Sequence, residues 1–165
     1  MGIKGFNKFI KEHYSDSVRK EWLTSYDNVY IDLNACLHNI SYLVSSKYEL
    51  FSRLEHFIMN IIQIVNPTKN VIFASDGPAP MAKLLLQRSR RLEMSRKNIN
   101  TETTSLNFTP GTIFMNSLKQ NLMKLIKKIK ILYKVEVILM LDGPNEAEIK
   151  IKQYMYKFIK TNTEY

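Results

Sequence analysis

Residues 70–78 read N-V-I-F-A-S-D-G-P. Four apolar residues with β-branched and aromatic members, closed by an Asp-Gly-Pro turn signal, predict a short buried strand over 70–75 with an acidic residue just past its end. Two further stretches share that shape. N-V-Y-I-D-L at 28–33 predicts a strand with Asp32 at its end, and V-E-V-I-L-M-L at 135–141 predicts one followed by Asp142. Helical spacing fills the intervals. Leu50, Leu54, Phe57, Ile58, Ile61, Ile62 and Val65 recur at threes and fours and stop at Asn66-Pro67. Helices are also expected over 1–13, 79–97, from Thr109-Pro110-Gly111 through 130, and over 145–160, with a polar loop at 98–107. Strands alternating with helices of this length make an α/β fold with a mostly parallel central sheet and helices on both faces.

The 165 residues suit one domain, 1–165, able to bury roughly 70% of its unfolded surface without disulfide or metal staples. A single cysteine, Cys36, excludes an internal disulfide framework and a cysteine-rich zinc site. No apolar run is long enough to span a bilayer, and the first residues are too charged for a signal peptide. The expected setting is therefore intracellular, cytoplasmic or nuclear, with no membrane partner. Twenty-four basic against fifteen acidic side chains give a net charge of +9, which favours polyanionic partners and nucleic acid first. Solubility alone is the plainer reading of that charge.

In an open α/β sheet, ligands bind beyond the carboxyl ends of the strands. Only five residues are Asp, and three of them, Asp32, Asp76 and Asp142, fall at or just past the three strand ends. Turn and capping chemistry accounts for one or two such placements. Three together point to a carboxylate cluster, which repels itself unless a hard cation such as Mg²⁺ or Mn²⁺ neutralises it. Two such ions would clamp the attacking and leaving oxygens of a phosphoryl displacement. Glu146 and Glu148, in D-G-P-N-E-A-E-I-K at the last helix start, add to the set; a first-turn preference for Glu is the plainer account of them alone. On the helix after Asp76, Lys83, Gln87, Arg90 and Arg91 lie within about 100° of one another, a phosphate-grasping face, while Leu85 and Leu92, with Ala82, Leu86 and Ser89 nearby, are left to face the core. Lys119, Lys124, Lys127, Lys128 and Lys130 form a basic face read first as solvated. His38 follows Asp32 by six positions with no second histidine spaced to chelate beside it.

The chain resembles the N-terminal part of the Xrn-type 5′→3′ exoribonucleases, within the PIN and flap-nuclease-like group. The matching stretches are M-G-I at the start, Y-I-D-L-N-A-C-L-H-N at 30–39, S-D-G-P-A-P-M-A-K-L-L-L-Q-R-S-R-R at 75–91, T-P-G-T-I-F-M at 109–115 and P-N-E-A-E-I-K at 144–150. The resemblance implies hydrolysis of single-stranded RNA from a 5′-monophosphate end, with Mg²⁺ or Mn²⁺, two ions in a complete site. Carried over by motif, Asp32, Asp76, Glu146 and Glu148 would be catalytic metal ligands. Lys83, Gln87, Arg90 and Arg91 would bind the 5′-phosphate, and His38 would stack on the terminal base.

Departures accompany the likeness. The family's usual G-E-G-E-H-K is here N-E-A-E-I-K, closer to flap endonucleases, and position 4 is Lys where Pro is usual. The aspartates with which the family completes its metal site lie downstream of position 165. The expectation is accordingly a partial nuclease domain lacking the downstream part of the fold. It would be a piece of a longer enzyme, or a reduced relative that completes its site with Asp142 or a second polypeptide. A catalytically inactive module binding RNA 5′ ends is the second functional reading, and a flap-type DNA nuclease the third.

Overall fold

A computed structural model describes residues 5–18, 23–42, 44–78, 81–96 and 106–162. In chain order the elements are α1 (Phe6–His13), a 3-10 turn (Ser15–Ser17), β1 (Tyr26–Asp32), α2 (Leu33–Ile40), α3 (Lys47–Val65), β2 (Pro67–Ala74), α4 (Met81–Arg96), α5 (Ile113–Tyr133), β3 (Glu136–Met140) and α6 (Ala147–Asn162). The strands form one parallel sheet in the order β1-β2-β3. Val29, Val71 and Val137 lie in or next to one register row, and Ile31, Phe73 and Leu139 in the row two residues on. The α/β class and the parallel sheet agree with the sequence reading.

Alternation along the strands decides which helix covers which face. Val29, Ile31, Val71 and Phe73 join the main core with Leu54, Ile58 and Ile62 of α3 and Leu118, Leu122 and Ile129 of α5. Ile72 and Ala74 point the other way, are fully buried, and meet α6. Tyr30 shares their face and meets the edge of the Tyr154 ring, 6.4 Å between centroids. Helices therefore cover both faces, and the central strand β2 is buried on both sides from Val71 to Ala74.

Local signals explain the boundaries. Ser46 caps α3 by accepting from the Glu49 N–H at 3.2 Å, and Asn66 ends that helix in the left-handed region before Pro67. The start of α5 depends on T-P-G-T. Gly111 has φ +83, which glycine tolerates best, and the Thr112 hydroxyl caps Met115 at 3.3 Å while donating to Asn107 at 2.6 Å. One helix was absent from the sequence expectation: α2, which follows β1 without a loop because Asp32 is at once the last strand residue and the helix cap. Most of the expected 98–107 loop lies outside the described residues, as does the M-G-I start.

The sequence placed the α4 leucines toward the core, and the structure reverses this. Leu85 is 76% exposed and Leu92 is 52% exposed, while Lys83 and Gln87 are half-buried. The physical reason is that Lys83 finds a carboxylate partner on the inner side of α4, which leaves Leu84, Leu85 and Leu92 outside.

Candidate functional site

The three strands end level with one another: Asp32 pairs in register with Ala74, and Ala74 with Met140. Asp76 and Asp142 each follow two residues later, so the sheet brings all three aspartates to one edge as the sequence suggested.

Each is held differently. The Asp32 carboxylate caps α2, with Oδ1 accepting from the Asn34 and Ala35 N–H groups at 2.9 and 3.2 Å. Burial pushes its carboxyl above the usual aspartate range; these two N–H groups pull it partly back, and the negative charges of Asp76 and Glu148 push it further up. Asp76 and Glu148 thus each lie within electrostatic reach of Asp32. Asp76 Oδ1 accepts from the Ala147 N–H at 3.0 Å, which seats it on the first turn of α6. Glu146 is ion-paired with Lys83 of α4. Asp142 turns outward, its side chain 83% exposed, and pairs with Lys119 of α5 at 2.7 Å, which holds its carboxyl below the usual range.

Two loops meet backbone to backbone beneath these carboxylates. The Gly77 N–H donates to the Asn145 carbonyl at 2.8 Å, and a Cβ at position 77 would stand 2.0 Å from the Gly143 carbonyl oxygen. The S-D-G-P turn therefore needs glycine at that position for contact rather than for φ.

The structure also assigns work to residues the sequence reading passed over. Asn34 is buried; its Nδ2 donates to the Phe108 carbonyl at 3.1 Å and its Oδ1 accepts from the Asp76 N–H at 3.0 Å. One amide thus joins the first turn of α2, the segment after β2 and the approach to α5. A polar residue inside the apolar run 29–37 was the available signal. Lys150 is 8% exposed, and its Nζ donates to the Ser75 carbonyl at 2.8 Å. Burial lowers its pKa, against the opposing pull of Asp76 and Asp142. Position 150 lies on the inward stripe of α6 with Ala147 and Tyr154, and a lysine on such a stripe is itself informative.

His38 is exposed, with its ring edge against Phe108 at 5.5 Å between centroids. The Arg90 and Arg91 side chains lie outside what the structure describes, so the proposed phosphate face is seen only through Lys83 and Gln87. Three lysines of the basic α5 face are committed to acids: Lys119 to Asp142, Lys128 to Glu55 at 2.7 Å, and Lys130 to Glu136 at 3.0 Å. Cys36 is buried and its thiol is pushed up to about 11, mainly by that burial, which makes it inert at neutral pH.

All the acidic donors at this edge are hard oxygens carrying mutually repelling charge, which suits a hard divalent cation. Among the described residues no three His, Cys, Asp or Glu side chains gather around one point. A Mg²⁺ ion does not require three, since it commonly takes one or two carboxylates and completes its shell with water and phosphate oxygens. The donor chemistry therefore fits, with Asp32 and a neighbour that acts on it, Asp76 or Glu148, the pair that would hold such an ion. Among the described residues no helix is long and apolar enough to cross a membrane.

Comparison with known proteins agrees with this geometry. The sequence matches the family described as XRN 5'-3' exonuclease N-terminus over residues 1–165. It is similar to 5'-3' exoribonuclease 1 of Schizosaccharomyces pombe, 29% identical over 94% of this chain and 14% of that protein. The human 5'-3' exoribonuclease 1 is 29% identical over 74% of this chain and 9% of its own length. The corresponding Saccharomyces cerevisiae protein is 29% identical over 94% of this chain and 12% of its own. The chain thus spans a small fraction, 14% or less, of these relatives. With a parallel α/β sheet, carboxylates at its C-terminal edge and a family match along the whole sequence, this chain belongs to the XRN 5'-3' exonuclease N-terminus family.

Proposed function

We propose that this chain carries the end-recognition and carboxylate part of a metal-dependent 5′→3′ exoribonuclease acting on 5′-monophosphorylated single-stranded RNA. The observation that carries the reading is the placement of Asp32 and Asp76 at the sheet's C-terminal edge, joined through Asn34 and tied to the first turn of α6, with Lys83 of α4 paired to Glu146 beside them. Asp32, Asp76, Glu146 and Glu148 would hold Mg²⁺ or Mn²⁺, two ions in a complete site. The bound ions would supply charge neutralisation at the reacting phosphate and a more acidic water. Lys83, Gln87, Arg90 and Arg91 would receive the terminal phosphate, and His38 would stack on the first base.

Hydrolysis adds one water across a P–O3′ bond: hydroxide joins phosphorus, and the departing O3′ leaves on the mononucleotide with a proton. The shortened RNA again begins with a 5′-monophosphate, so each cut recreates the end that the α4 face recognises. That recurrence suits processive degradation.

A second reading, a module that binds 5′ ends without cutting, is favoured by the engagement of Glu146 with Lys83, which occupies one of the four carboxylates expected to hold metal and leaves Gln87, Arg90 and Arg91 to receive the phosphate. One experiment separates these readings. The chain is incubated with 5′-monophosphate, 5′-triphosphate and 5′-hydroxyl RNA and with flap DNA, in Mg²⁺ or EDTA, following both binding and product length. Mg²⁺-dependent mononucleotide release from monophosphate RNA supports the enzyme. Selective binding without release supports the module, and cleavage confined to the flap substrate supports a DNA nuclease.

A further inference from the structure

We propose that Lys150 is a positioning residue of the carboxylate site: its buried ammonium fastens the end of β2 to α6 and so seats Asp76 on the first turn of that helix. The inference rests on the reading of those carboxylates as metal-binding.

Ser75, the residue before Asp76, is 1% exposed and uses all three of its polar groups on other elements. Its N–H donates to the Met140 carbonyl at 3.3 Å, its hydroxyl to the Leu141 carbonyl at 3.1 Å, and its carbonyl accepts from Lys150 Nζ at 2.8 Å. The first two bonds tie β2 to the end of β3. Only the third reaches α6. Two neighbouring ties run between the same segments: Gly77 N–H to Asn145 carbonyl at 2.8 Å and Ala147 N–H to Asp76 Oδ1 at 3.0 Å. Lys150 lies one turn further along the helix and closes this set from below.

A helix face packed on a sheet is normally filled with apolar side chains, and burying an ammonium is costly unless it is bonded and compensated. A leucine at position 150 would pack at least as well. The charge is retained where it meets a carbonyl that an apolar side chain would leave without that donor, next to Asp76 and Asp142. Within the P-N-E-A-E-I-K stretch, Asn145 and Ala147 reach the 75–77 segment through backbone groups, and Lys150 reaches it with a charged side chain.

The rival account is that the ammonium only supplies positive charge to an acidic neighbourhood. The two differ in sign. Lys150→Met keeps the length of the stem and removes the ammonium. If Lys150 positions the site, amide hydrogen exchange at Gly77 and Ala147 rises at least about tenfold in K150M, with core amides such as Phe73 and Ile58 changing less than about twofold. Mn²⁺ affinity, measured by calorimetry on the full chain, falls by about tenfold or more. If the ammonium is only a charge, removing it takes away a repelling cation and Mn²⁺ binds more tightly. Unchanged exchange at Gly77 and Ala147, or unchanged or tighter Mn²⁺ binding, overturns the proposal. If K150M does not fold, Lys150→Gln, neutral and too short to make the full reach, is read by the same two measurements. A wild-type chain that binds no Mn²⁺ overturns the metal reading instead, and the exchange comparison then decides the role of Lys150 by itself.

Discussion

The side-chain oxygen of Asn34 accepts from the backbone N–H of Asp76 at 3.0 Å, across 42 positions of sequence. Asn34 belongs to the helix that Asp32 caps, so this bond links the segments that carry two carboxylates, one at the end of β1 and one just past β2. Its other end, Nδ2, is bonded to Phe108, so the amide has no slack with which to drift.

Asn34→Ala leaves both the Asp76 N–H and the Phe108 carbonyl short of a partner in a buried setting. A loss of roughly 2–4 kcal/mol is expected, read as a fall in the urea midpoint with little change in slope. A change within ±0.5 kcal/mol would contradict the role given to Asn34.

Asp32→Asn should stabilise the protein while weakening Mn²⁺ binding. The folded Asp32 carboxyl holds its proton more tightly than the unfolded one, chiefly because it is buried. The native state therefore binds more protons between the ordinary value of 3.8 and the raised folded value, and stability falls as pH climbs through that window. Asparagine keeps the capping oxygen without the charge. At pH 7 the melting temperature of D32N should exceed that of wild type by about 2–6 °C. The advantage should fade as pH drops through that window and vanish well below 3.8, where both folded and unfolded wild-type carboxyls are protonated. A constant difference across pH would assign the effect to packing.

Gly77→Ala brings a methyl group against the Gly143 carbonyl oxygen, and backbone faces it there. The two loops must part, at a cost of roughly 2–4 kcal/mol, with loss of the Gly77–Asn145 bond. Thermal denaturation and the Gly77 amide exchange rate should report this together. A G77A protein of wild-type stability would show that the loops are not in contact.

Glu146→Gln removes the charge that holds Lys83. If Lys83 serves the terminal phosphate, metal-free binding of 5′-monophosphate RNA should tighten by about three- to tenfold, measured by anisotropy in EDTA. Binding of 5′-hydroxyl RNA should change much less. Equal gains for both ends would mean only a general rise in positive potential.

Arg90→Ala with Arg91→Ala tests the part of the phosphate face seen in sequence alone. Affinity for 5′-monophosphate RNA should fall by about 30-fold or more, and for 5′-hydroxyl RNA far less. Losses that match for the two ends would indicate a backbone-binding surface with a shallower salt dependence.

Much of this arrangement was legible in the residues. The strand ends were legible because apolar β-branched runs closed by Asp are short-range signals, and the sheet edge followed from parallel topology. The α2 helix was not, because its cap is the strand's last residue and leaves no turn chemistry between them. The orientation of α4 was misread for a different reason. Its leucines and its cations each form a stripe, and periodicity says that two faces exist without saying which meets the protein. Lys83 shows the deciding energy, a partner on another element 63 positions away. The roles of Asn34 and Lys150 were hidden in the same way, since each depends on a carbonyl or N–H that only the folded chain brings near.

The bonds that build the carboxylate edge join residues 42, 71 and 75 positions apart. None can form from a local segment, and each closes a long loop before it returns any stabilisation. A nascent chain that has completed β1 and β2 but not α6 has Asp32, Asp76 and the Asn34 bond between their segments, and lacks the ties from Ala147 and Lys150. The carboxylate edge is therefore complete only once α6 has packed against the end of β2.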